Sequence, residues 1–368
     1  MDTASRTLPK IREHPWDWGT KNEYEEVTLR EQPYLHGHYR NKYYKTEYDI
    51  YDPRYTAVRS SEWDAFRDPK KFWYTPYVYN RKKLSDQVEG IFNRGISLEV
   101  YSRTAPEWVG LSAALYIPMR HYEYAGALQL QHVVRYAMGC PIEQAATFTA
   151  FDKQGRAQWI SLWGIEFPGT KTDTALEAGK RLWMDDESYR LIREYMEQLL
   201  ITDDWAEVLF ALHMAIEPLV STLLYRDLNQ LALSHGDIVL PELNLVSEEQ
   251  VAWQDQWIQK FFEFIVLDPC MNRWDYLKVL GYENWPGDYR WGHTLTDPRE
   301  TPEDPRTNAA IVQEWADHWL PKAMAAVLPL QNLFDRANVD FSVSDSVIRT
   351  WEQTIKPTMA KLGLTAQR

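Results

Sequence analysis

Nowhere in the 368 residues does a glutamate stand three places before a histidine. Glu-x-x-His puts a carboxylate and an imidazole on one helix face, so its absence removes the usual way for a helical bundle to hold two metal ions. Cysteine is almost missing: Cys140 and Cys270 are the only two. They give no disulfide framework and no metal spacing, which suits a reducing compartment. Basic runs are lacking as well. Arg81-Lys82-Lys83 is too short to grip phosphates, and the net charge is −13, which argues against nucleic acid. The glycine patterns that cradle phosphates or dinucleotides are absent, and so is Gly-x-Ser-x-Gly. The opening residues, Met1 to Arg6, contain no apolar stretch of the kind a secretory signal needs, so the cytoplasm is the expected location. The longest apolar run, Val208 to Tyr225, is interrupted by His213, Glu217 and Pro218. It reads as a buried helix, and no membrane partner is expected.

Aromatic residues, by contrast, abound: 17 Trp and 22 Tyr. Large, rigid, amphipathic rings concentrate at protein interfaces, so assembly with a partner is expected. They are densest in residues 1–83, which show no sustained helical or strand period and are broken by Pro15, Pro33, Pro53, Pro69 and Pro76. So aromatic a stretch is not a disordered tail; an extended arm lying on its own bundle or on a partner is the economical reading. Trp16, Trp18, Tyr43, Tyr44, Trp73 and Tyr74 are the arm's candidate interface residues. One short helix is expected near Ser61–Arg67, with Ser60 or Ser61 as its cap.

From residue 84 the pattern turns helical. Helices are expected from Ser85 to about Ser102, Pro106 to Met138, Pro141 to Phe167, Thr174 to Trp183, an Asp185/Asp186 cap to Leu200, a Thr202/Asp203 cap to Ser234, and Ser247 to Asp268. Loop follows around 281–305, then helices over 306–336 and 343–362, with no strand. Pro118, Pro218, Pro321 and Pro329 fall inside helical patterns and should kink them. Helices this long without heptads define an all-α, ferritin-like bundle. The organisation is an arm over 1–83, a core without metal ligands over 84–270, and a loop with additional helices over 271–368.

In the metal-bearing version of that bundle, two helices each carry Glu-x-x-His and two others a single Glu. At the first paired slot this chain reads Asp152-Lys153-Gln154-Gly155-Arg156, and at the second Asp255-Gln256-Trp257-Ile258-Gln259. Lys153 and Arg156 cannot hold a cation, and Gln256 and Gln259 are poor iron ligands. Two carboxylates remain, Glu123 and Glu217, with His121 and His213 nearby in sequence. They form either an atypical metal site, which would make the chain a stand-alone metalloenzyme, or a buried ion-pair network in which Arg156 reaches Glu123 from the next antiparallel helix. Loss of both metal-specific pairs favours the network. A helical binding or regulatory module is the third reading. No catalytic, cofactor-binding or metal-ligating residue is assigned.

Three segments together resemble a known family: Asp68-Pro-Lys-Lys-Phe-Trp-Tyr-Thr-Pro-Tyr77, Ala150-Phe-Asp-Lys-Gln-Gly-Arg-Ala-Gln158 and Ala252-Trp-Gln-Asp-Gln-Trp257. The family is the small (β) hydroxylase subunit of the soluble bacterial multicomponent di-iron monooxygenases, and the propane-oxidising group is the most similar within it. The resemblance implies a non-catalytic structural subunit of an oxidoreductase. It implies a di-iron large subunit as partner, two of each forming the hydroxylase. It further implies a reductase with FAD and an iron–sulfur cluster fed by NADH, and a cofactorless coupling protein. One oxygen atom from O2 would enter a small hydrocarbon, with propane giving 2-propanol and phenol the other option.

Overall fold

The computed structural model describes residues 22–30, 52–60, 62–167, 173–268 and 304–367, and the backbone of 289–290 and 293–294. The elements in chain order are α1 (Glu23–Arg30), α2 (Tyr74–Ser97), α3 (Val100–Arg103), α4 (Pro106–Tyr136), α5 (Cys140–Glu166), α6 (Asp173–Asp185), α7 (Glu187–Leu200) and α8 (Trp205–Ser234). Then come α9 (Val239–Leu267), α10 (Asn308–Val327), α11 (Gln331–Ala337) and α12, in which Val343–Thr350, Trp351–Ile355 and Lys356–Lys361 run on without a break. Tyr289–Arg290 pairs antiparallel with His293–Thr294, a two-residue ribbon that the sequence reading did not expect. The long helices form the all-α, ferritin-like bundle that their length and periodicity implied.

Local chemistry sets most helix starts. Pro106 sits in the first turn of α4, where a missing N–H costs nothing. The Asp186 carboxylate accepts from Ser188 N at 2.9 Å and starts α7. Asp204, one residue past the expected cap, accepts from Ala206 N at 2.9 Å and Glu207 N at 3.2 Å and starts α8. Gly139, between α4 and α5, has φ of 100°, and a Cβ there would stand 3.1 Å from the Trp63 carbonyl oxygen.

Two helices begin earlier than the sequence reading placed them, for the same reason. α2 starts at Tyr74, with Trp73 extended at the cap, and Pro76 is its third residue. α9 starts at Val239, with Pro241 as its third residue, and Asp237 Oδ1 accepts from Val239 N at 2.9 Å and Leu240 N at 3.1 Å. A first-turn proline lacks only an N–H with no helical partner, so it initiates a helix as readily as it ends one. Ser247, read as a cap, lies inside α9 and donates to the Leu243 carbonyl. The helix expected near Ser61–Arg67 is a single 3-10 turn, Trp63–Ala65, for which Ser60 Oγ accepts from Glu62 N.

Trp16, Trp18, Tyr43, Tyr44 and Cys270 lie outside the described residues. The described parts of the arm lie on the chain's own bundle. Ala57 N donates to Asp204 at 2.6 Å, and Arg59 N to Asn308 at 2.9 Å. Phe66 packs edge-on against Trp257 and Phe261, and Trp63 against Trp205. Trp73 is half-buried, whereas Tyr74 remains 67% exposed. Of the prolines expected to kink helices, Pro329 falls in a 3-10 turn, Leu328–Leu330. Pro218 lies between two wide π stretches of α8, Phe210–Ile216 and Thr222–Asp227. Pro118 and Pro321 sit in unbroken α-helix. α8 is long and apolar enough to cross a membrane by length and composition, but 89% of its most apolar window is buried inside the bundle.

Candidate functional site

Four charged side chains meet at the centre of the bundle, each no more than 1% exposed: Glu123 from α4, Lys153 and Arg156 from α5, and Glu217 from α8. Lys153 and Arg156 are one helical turn apart and project together. Arg156 forks onto Glu123, with Nε to Oε1 at 2.9 Å and Nη2 to Oε2 at 3.0 Å, and Nη2 lies 3.6 Å from Glu217 Oε1. Lys153 Nζ donates to Glu217 Oε2 at 2.7 Å and to Glu123 Oε2 at 3.2 Å. Two tyrosines complete the cluster. Tyr122 OH donates to Glu217 Oε2 at 2.6 Å, and Tyr225 OH to Glu123 Oε1 at 2.8 Å. The Lys153 ammonium also lies 5.0 Å from the Tyr122 ring centre.

The formal charges of the four side chains balance, two against two. Burial would raise the Glu217 carboxyl, but Lys153 and Arg156 outweigh it and hold the group below its ordinary value. Burial would likewise lower the Arg156 guanidinium, but Glu123, Tyr225 and Glu217 together outweigh it and hold the group above its ordinary value. Tyr122 and Tyr225 are driven up, first by burial and then by the carboxylates they face, so they stay protonated donors.

Of the residues singled out from sequence, the structure brings Glu123, Glu217, Lys153 and Arg156 together, with Arg156 on Glu123 as the antiparallel-helix argument required. It does not bring the others. His121 lies on the outer side of α4, against the Trp183 ring and Arg120. His213 is buried with neither ring nitrogen hydrogen-bonded. Burial, then Lys153 and Arg156, push it well below its ordinary value, so it is a neutral imidazole. Gln256 is exposed and Gln259 only half-buried, so the register given to the second slot was wrong. The inward glutamines of α9 are Gln250, whose Oε1 lies 3.4 Å from Arg156 Nη1, and Gln254, whose Nε2 donates to Asp152 at 3.1 Å. Positions 250, 254, 257 and 261 share one helical face, and all four are buried.

Sequence reasoning also missed the buried carboxylate of α5. Asp152 accepts from both arms of the Arg81 guanidinium, from Tyr77 OH at 2.9 Å and from Gln254, which ties α2, α5 and α9 together. Asp255, at a narrow cleft beside His213 and α12, is pushed up to about 7 by burial and by Glu217.

The donor set does not fit a pair of irons. The two glutamates are already bound by an ammonium and a guanidinium that occupy the space a metal would need, and no histidine points between them. Among the described residues, no three His, Cys, Asp or Glu side chains are grouped as a metal would require. The arrangement can hold four helices in register; it offers no nucleophile and no open ligand position.

The comparisons with known proteins agree with a bundle of this kind. The family model for the methane/phenol/alkene hydroxylases matches residues 43–269, and the chain belongs to that family. It is 22% identical to the oxygenase component of phenol 2-monooxygenase from Pseudomonas sp. strain CF600, over 83% of this chain and 81% of that protein. It is 26% identical to the hydroxylase small subunit of propane 2-monooxygenase from Rhodococcus jostii RHA1, over 60% of each. The fold matches the crystal structure of phenol hydroxylase from Pseudomonas sp. OX1 with a TM-score of 0.75 at 22% identity, covering 95% of this chain and 92% of that one.

Proposed function

We propose that this chain is the non-catalytic small subunit of a multicomponent monooxygenase hydroxylase, and that it fixes the geometry of a di-iron large subunit. One observation carries the reading: Lys153 and Arg156 stand between Glu123 and Glu217, where the metal-bearing form of the bundle has its ligands. Productive metal chemistry needs ligands held to roughly half an ångström, which a rigid neighbouring bundle can impose. A quartet of matched charges gives rigidity and register more than net stability.

In this reading the chain holds no cofactor of its own. Iron sits in the large subunit, and two of each subunit form the hydroxylase. NADH supplies electrons through a reductase carrying FAD and an iron–sulfur cluster, and a coupling protein regulates transfer. The assembly works in the cytoplasm. One atom of O2 enters a small hydrocarbon or phenol; propane is the substrate favoured by the sequence resemblance. Purification with the large subunit of the same system, followed by metal analysis of the lone chain, tests the reading. A stable complex with iron in the large subunit alone is expected. Stoichiometric iron in the isolated chain overturns it.

A further inference from the structure

The outer faces of α4 and α5 differ from the rest of the surface. Between Phe151 and Ile165 the charged residues of α5 are Asp152, Lys153 and Arg156, and all three are buried. Between His121 and Gln131 the only one on α4 is Glu123, also buried. What faces outward there is Phe151, 55% exposed, Tyr124 at 51%, Leu162 at 46% and Leu128 at 37%. Glutamines stand between them, and a shallow groove of about 640 Å³ runs along Tyr124, Gln158 and Leu162, with Arg120 as the one charged side chain of its lining. Elsewhere the surface is ion-paired, as along α7 by Glu187, Arg190 and Glu194. Apolar, aromatic and charge-depleted is the composition of an interface centre.

Gly155 lies on the same strip. A Cβ there would meet nothing within 4 Å, so among the described residues nothing requires the glycine. Glycine in a helix interior costs about 1 kcal/mol against alanine, and close approach of another backbone is the usual compensation. The strip is already covered at its start by α1, whose Thr28 Oγ1 donates to Gln144 at 2.7 Å. Among the described residues, nothing covers it from Phe151 onward.

We infer that this strip is the seat of the large hydroxylase subunit, occupied by a helix of that partner with an apolar ridge, its backbone lying against Gly155. A second copy of this chain fits less well, because it would bring two bodies of net charge −13 together. The inference rests on the proposed function and specifies its docking face.

The test uses the full chain co-expressed with the di-iron large subunit of its own system, and Phe151→Glu, Gly155→Trp and, as control, Leu245→Glu, an equally exposed site on α9. Circular dichroism and melting establish folding, and light scattering with titration establishes assembly. Phe151→Glu and Gly155→Trp are expected to fold as the parent and to weaken the complex at least tenfold, while Leu245→Glu leaves it unchanged. If both strip variants assemble like the parent, the docking face is wrong and the proposed function stands. If the parent itself does not bind the large subunit, the function falls and the docking face with it. If the strip variants instead break a self-dimer and spare the heteromeric complex, a second copy is the occupant and the inference is overturned.

Discussion

Gly126 makes the room in which Lys153 lies. A Cβ on Gly126 would stand 2.7 Å from Lys153 Cδ and 3.0 Å from Cε, closer than real atoms approach. The glycine on α4 and the lysine on α5 are therefore one feature, and the lysine reaches both glutamates because its stem passes over a bare backbone.

Gly126→Ala should destabilise the protein by roughly 1–3 kcal/mol through overpacking, despite a helix-propensity gain of up to about 1 kcal/mol. In a Lys153→Ala background the clash is gone, and the same change should be neutral or stabilising. A double-mutant cycle in urea measures the coupling; additive effects would separate the two residues.

Arg156→Leu leaves Glu123 buried with only the weaker Lys153 contact, at 3.2 Å, to neutralise it. Removing one partner of a buried pair costs about 3–5 kcal/mol. Arg156→Leu combined with Glu123→Leu should recover part of that loss, since no unpaired charge remains. Chemical denaturation of the three proteins checks the order, and a single variant that unfolds with the parent would show that the guanidinium is not the replacement cation.

Lys153→Glu with Arg156→His creates the missing Glu-x-x-His on α5 and removes both cations. Three carboxylates and an imidazole then converge. The metal-free double variant should be less stable by several kcal/mol, and a divalent metal should restore stability, rising with the logarithm of its concentration above Kd. Cobalt absorption and melting with and without cobalt read this out. One metal rather than two is expected, because α9 supplies Gln250 and Gln254 on that side.

Asp255 is raised from 3.8 to about 7 by burial and Glu217. A folded carboxyl with a raised value binds a proton that the unfolded chain has already lost between these two pH values. Its contribution therefore favours folding as pH falls from about 7 toward 4 and is lost as pH rises through 7. The slope is at most about 1.4 kcal/mol per pH unit. Asp255→Asn should flatten the stability–pH curve in that window, and parent and variant curves that run parallel would place the carboxyl elsewhere.

Helix type was legible in the sequence because caps and periodicity agree there: Asp186 and Pro106 start helices as their chemistry demands, and Asp204 does so one residue past the Thr202/Asp203 cap that was expected. The pairing of Arg156 with Glu123 was legible from spacing, since two antiparallel helices joined by a tight turn bring such positions together. Pro76 and Pro241 misled because proline stops a helix in its interior and tolerates its first turn, and sequence alone does not say which applies. The second glutamine pair was misplaced because several registers of α9 keep tryptophan in the core. Only the contact with Arg156 selects Gln250.

The two wide stretches of α8 bracket Glu217. Each residue added to or taken from an α-helix turns everything beyond it by about 100°. The interval from Phe210 to Asp227 is thus a gear ratio: it aims Glu217 at the Lys153 ammonium and Tyr225 at the Glu123 carboxylate from different turns. A one-residue deletion there would swing one of them out of the cluster even if every side chain around it were kept, so between relatives a gap in this interval means a rotation and not a shorter loop.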